Sequence, residues 1–171
     1  MPRRRYLAVV WTPARPLRAL VPADPRAVIA ATLAIGHQLA ALHERGQAHG
    51  GVDPALAVVG ADGAAWLSRA APRAPARRCA APEVLRGGPA SAAADQYAFA
   101  ATVAALWPPA RLAEPRVRAA LLRALAVEPA DRWPRIDDLV RALRTPSRFI
   151  ATCATRNAPP NNRLTVEMSD V

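Results

Sequence analysis

Apolar residues recur at helical spacing over residues 26–45, where Val28, Ile35, Leu39 and Leu42 form one stripe. Asp24-Pro25 stands ahead of that stripe as a cap and Gly46 follows it as a left-handed stop, which predicts a helix roughly 30 Å long at ~1.5 Å per residue. Residues 95–107 are apolar nearly all round (Tyr97, Phe99, Val103 and Leu106 with alanines between), the pattern of a buried helix. Pro115 opens another helix, with Val117, Leu121, Leu122 and Leu125 expected on its inner face. Over 135–144, Ile136, Leu139, Val140 and Leu143 fall at i, i+3, i+4 and i+7. Asp137 and Asp138 come early and Arg141 and Arg144 late, as the helix dipole favours.

Strand signals are fewer. Residues 6–11 (YLAVVW) are short, apolar and partly β-branched, bounded by arginines and by Thr12-Pro13. Residues 55–59 form an apolar run, Asp62-Gly63 a turn, and Ala65-Trp66-Leu67-Ser68 a second strand, so a hairpin is expected. Segment 12–26 carries Pro13, Pro16, Pro22 and Pro25 and reads as an irregular linker. Residues 146–171 turn to Thr, Asn, Ser and Pro and are expected to form a mobile tail. The fold class is mainly α (α+β).

Composition narrows the function. The 171 residues suit one domain, and 52% hydrophobic content with mean hydropathy +0.03 supports a buried core. A net charge of +10 and a pI near 11.5 raise nucleic acid or an anionic membrane as partners. Every basic residue, however, is Arg, and apart from Arg3 to Arg5 and the pair Arg77-Arg78 they are spread along helices. Solvated faces account for them, and nucleic acid is not the expected partner. Cys79 and Cys153 lie in different segments, and the N-terminus has no signal-peptide core, so a cytoplasmic protein is expected. No membrane span and no metal-ligand spacing is evident, since His37, His43 and His49 are six apart and share no helical face.

Residues 43–62 (HERGQAHGGVDPALAVVGAD) run helix, loop, strand, turn, strand. Ala81-Pro82-Glu83, a helix opened by Asp95, and Glu128-Pro129-Ala130-Asp131-Arg132-Trp133-Pro134 follow in order. This succession, over about residues 6–145, resembles the bacterial eukaryotic-type Ser/Thr protein kinases, with His49 to Leu56 standing where that family has H-R-D-L-K-P-x-N. The resemblance implies a kinase-like C-terminal lobe over 12–145, helical with a short hairpin. Residues 1–11 would be the remnant of the last N-lobe strand and hinge, the rest of the N-lobe being largely absent. It also implies structural roles for His49, Pro54, Ala81, Pro82, Glu83, Asp95 and Arg132, including contact between Glu83 and Arg132 across 49 positions and a tie from Asp95 to the loop backbone.

The chemical positions depart from the pattern. Gly51 stands for the catalytic Asp, while Leu56 and Arg69 stand for the two metal ligands. Asp53, two residues late, is a weak substitute base. The family uses ATP and Mg²⁺ with these groups, so no cofactor is expected here. The implied function is a truncated pseudokinase, a binding, scaffold or regulatory module for a protein partner. The alternatives are a Ser/Thr kinase chain whose N-lobe is missing from this reading frame, and an Arg-rich nucleic-acid-binding protein.

Overall fold

The computed structural model describes residues 15–21, 23–68 and 78–144. The expected strand at 6–11, Arg69 and the tail 146–171 lie outside the described residues.

Helix α1 (Pro25–Glu44) begins as its sequence predicts: the Asp24 carboxylate accepts the N–H groups of Arg26 at 3.1 Å and Ala27 at 3.0 Å. It ends in a Schellman motif. Gly46, at φ +68, donates to His43 O at 2.9 Å, and Gln47 donates to Leu42 O at 3.2 Å. Between the caps, Val28, Ala31, Ile35 and Leu39 are buried, while Leu42, at the exit, is only half-buried.

Residues 15–20 are less irregular than the prolines around them suggest. Arg15–Pro16 forms strand β1, and Leu17–Leu20 forms a 3₁₀ turn whose Leu17 is completely buried. A proline is tolerated there because β1 lies at the edge of the sheet. Strands β2 (Ala57–Val59) and β3 (Ala65–Leu67) make the expected hairpin, with Val58 opposite Trp66, and the sheet is antiparallel in the order β1-β2-β3. Gly63 turns it at φ +80, and Asp62 Oδ1 accepts the Ala64 N–H at 3.0 Å.

Helix α2 (Pro82–Leu85) is one turn, and α3 (Ala92–Leu106) starts before Asp95 because Ser91 Oγ caps it through the Ala94 N–H at 3.1 Å. Phe99, Ala100 and Val103 of α3 are fully buried. The short α4 (Pro109–Leu112) leads to α5 (Pro115–Ala124). The inner face of α5 is Val117, Ala120, Leu121 and Ala124. Leu122 is 62% exposed, contrary to expectation. Five residues from Val117 is well past one turn, so both cannot share a stripe of that width. Helix α6 (Ile136–Leu143) buries Ile136, Leu139, Val140 and Leu143 as its spacing predicts.

Helix α1 is the hub, packing on α6, α3 and β3. Gly36 permits the approach: a Cβ there would lie 2.5 Å from Val140 Cγ2 and 2.9 Å from Phe99 Cζ. The result is mainly helical with one small sheet, the expected fold class.

Candidate functional site

The loop between α1 and β2 is held from below by one carboxylate. Asp95, in the first turn of α3 and 2% exposed, accepts the Gly50 N–H on Oδ1 at 2.8 Å and the His49 N–H on Oδ2 at 2.6 Å. His43 Nε2 lies 3.0 Å from the same Oδ2. Three such partners, together with the positive end of α3, satisfy a charge that would otherwise be costly to bury.

Above this anchor the loop is chemically sparse. Gly50 sits at φ +72, where an L side chain is strained, and a Cβ would lie 3.0 Å from Ala90 Cβ. Gly51 has ordinary φ, and its added Cβ would meet only His49 Nδ1 at 4.0 Å. Space for a side chain exists at position 51, but the chain puts none there. Val52 is buried at 2% exposure, which pins the register of its neighbour Asp53. Asp53 is itself 8% exposed and folds its own turn: Oδ1 accepts the Ala55 N–H at 2.6 Å, and its main-chain O accepts the Leu56 N–H at 3.0 Å. Pro54 and Leu56 are half-buried; the Leu56 side chain offers no oxygen to a cation, and its main-chain O accepts the Ser68 N–H at 2.8 Å.

Behind the loop lies Cys79. Burial pushes its thiol up, the Asp53 carboxylate adds to the rise, and the Thr102 hydroxyl and Arg78 oppose it. The thiol is therefore protonated at neutral pH. Among the described residues no group of three or more His, Cys, Asp or Glu can hold a metal ion, and no helix is long and apolar enough to cross a membrane.

The second half of the site is the lock on residues 81–83. Ala81 is buried, and Pro82 starts α2 and carries Glu83 towards Arg132. Arg132 Nη1 donates to Glu83 Oε1 at 2.7 Å and Nη2 to Oε2 at 2.8 Å. Its other N–H groups reach Ala93 O at 2.8 Å, Val127 O at 3.1 Å and Ala126 O at 3.0 Å. All five guanidinium donors are used, and the plane lies 5.1 Å from the Tyr97 ring centroid. The bonds from Arg132 hold the Glu83 carboxyl below its ordinary range, against a smaller opposing effect of burial.

Several groups here escaped sequence reasoning. Gln96, 2% exposed, clamps Trp133 by accepting its N–H at 2.9 Å and donating to its carbonyl at 3.0 Å. Arg111, 8% exposed, pairs with Glu114 and donates to Leu143 O at 2.8 Å, tying α4 to the end of α6. The Ser91 cap and the Asp53 turn had local signals, a hydroxyl residue before an apolar run and an Asp-Pro pair. The Gln96 clamp had none.

No protein-family model and no curated protein matches the chain. Solved structures do. The PknI kinase domain of Mycobacterium tuberculosis is 26% identical with a TM-score of 0.65, over 78% of this chain and 62% of that one. A double mutant of the same domain is 28% identical with a TM-score of 0.65, over the same shares. The chain thus has a protein-kinase-like fold and spans 62% of the length of those kinase domains.

Proposed function

We propose that this chain is a kinase-like helical lobe that has kept its frame and lost its chemistry, acting as a binding, scaffold or regulatory module for a protein partner. One observation carries the reading: the Asp95 anchor holds a loop whose only carboxylate is committed to its own turn. Phosphoryl transfer needs a carboxylate to orient the attacking hydroxyl and ligands for Mg²⁺ between the phosphates. Gly51 and Leu56 provide neither, so these residues do not fit the ion. Asp53 is a poor substitute, because freeing its carboxylate would abandon the Ala55 N–H and disturb the buried Val52. Gly50, where the family pattern has Arg, sits at φ +72, a backbone that an L side chain adopts only with strain.

The reading is tested by following Mn²⁺ and ATP together by electron paramagnetic resonance. The Mn²⁺-ATP signal should be the same with and without protein. Saturable broadening that disappears in Asp53→Asn would assign a metal site to this loop and favour a working kinase lobe completed by a second lobe.

A further inference from the structure

Trp133 is fixed more firmly than a half-buried aromatic on a turn usually is. Gln96 holds its main-chain N–H and carbonyl, and its indole N–H donates to Ala120 O at 3.1 Å. The exposed Arg123 guanidinium lies over its face, 4.4 Å from the ring centroid. Concavities of about 680 and 430 Å³ adjoin this pair and share Arg123, Trp133 and Pro134 in their walls. Both are open to solvent, and small residues such as Ala93 and Ala130 line the larger one.

Charge in this groove is unevenly settled. Arg135 takes Glu44 at 2.8 Å and Asp137 at 3.5 Å, Arg141 takes Asp138 at 3.0 Å, and the buried Arg132 is bound to Glu83. Arg123 has no acidic partner among the described residues. It is a cation without a counter-charge, held on a rigid aromatic between two hollows.

We propose that the groove across Arg123 and Trp133 docks an extended peptide segment of a partner protein, with one carboxylate on Arg123 and apolar side chains in the hollows on either side. A guanidinium pairs well with a planar carboxylate, and a platform already rigid loses little entropy on binding. A nucleic acid fits less well, because its successive phosphates would meet only one uncompensated cation. The inference rests on the binding-module reading and gives that module its partner chemistry.

The test is fluorescence anisotropy on the whole chain with a fluorescein-labelled decapeptide pool, each peptide carrying one central Glu flanked by mixed Leu, Val, Pro and Ala. A pool with Gln in place of Glu and a labelled single-stranded RNA decamer serve as comparisons. The Glu pool should bind saturably, at least tenfold tighter than the Gln pool. Arg123→Gln should abolish that preference while lowering the melting temperature by no more than the loss of its stack on Trp133 would, and Arg116→Gln should leave it intact. No saturable binding, equal binding by Arg123→Gln, or tighter binding of the RNA would each overturn the proposal. Peptide binding indifferent to Arg123 would sink this groove while leaving the binding-module reading standing, whereas catalytic turnover would sink that reading and not the groove.

Discussion

Glu83 and Arg132, 49 residues apart in sequence, meet through two parallel hydrogen bonds of 2.7 and 2.8 Å. The guanidinium side chain is fully buried and the carboxylate 21% exposed, so the pair is anchored inside with its acid end near the surface. It fastens α2 to the turn before α6, and through Ala93 O to the start of α3.

Removing either partner should therefore be severe. Glu83→Ala leaves a buried cation uncompensated, at a cost of ~3 to 5 kcal/mol. Arg132→Ala should cost at least as much, since three carbonyls also lose their donor. The double mutant should lose less than the sum in chemical denaturation. Single mutants within ~1 kcal/mol of the parent would mean the pair behaves as a surface bridge.

The same pair sets a pH dependence. The folded Glu83 carboxyl titrates below its ordinary value of 4.5. Its contribution is thus fully present above that value and is lost as pH falls through the lower folded-state pKa. Urea midpoints measured from pH 7 to pH 3 should fall less steeply in Glu83→Gln than in the parent. Identical slopes would show that other carboxylates govern acid unfolding.

Gly36 sets two effects against each other. Ala improves helix propensity by ~1 kcal/mol, but its methyl would lie 2.5 Å from Val140 Cγ2. Overpacking at a rigid crossing costs ~1 to 3 kcal/mol, so Gly36→Ala should destabilise on balance. Adding Val140→Ala should recover part of the loss. A stabilised Gly36→Ala would mean the α1–α6 crossing yields easily.

Asp95→Ala should release the 49–50 backbone. It removes acceptors from two N–H groups and from His43, a loss on the order of 3 kcal/mol. Hydrogen exchange at His49 and Gly50 should accelerate more than at Val140. Uniform acceleration would show that Asp95 supports the whole lobe rather than this loop.

How much of this was legible in the sequence depended on the range of the interactions. Helix α6 was readable because its four apolar residues fall on one narrow stripe with matching charges at each end. The cap at Asp24 and the stop at Gly46 were readable because each acts within a few residues. Leu122 reads as inward-facing because α5 carries leucines on two adjacent stripes, and only its neighbours decide which one faces inward. Residues 15–20 read as irregular because β1 exists through pairing with β2, which prolines alone do not announce. Within the site, the partners of Asp95 and Arg132 were readable only through the resemblance to kinases. The left-handed backbone at Gly50 and the Gln96 clamp were hidden, since both arise from long-range packing.

If the kinase-like frame proposed above has lost its chemistry, transfer of phosphate from labelled ATP is the reaction that should fail. With Mg²⁺ or Mn²⁺, the protein should transfer no phosphate to itself or to generic protein substrates, and Asp53→Asn should be indistinguishable from the parent. Metal-dependent turnover abolished by Asp53→Asn would overturn the proposed function, because the carboxylate bound to the Ala55 N–H would then be serving as the base.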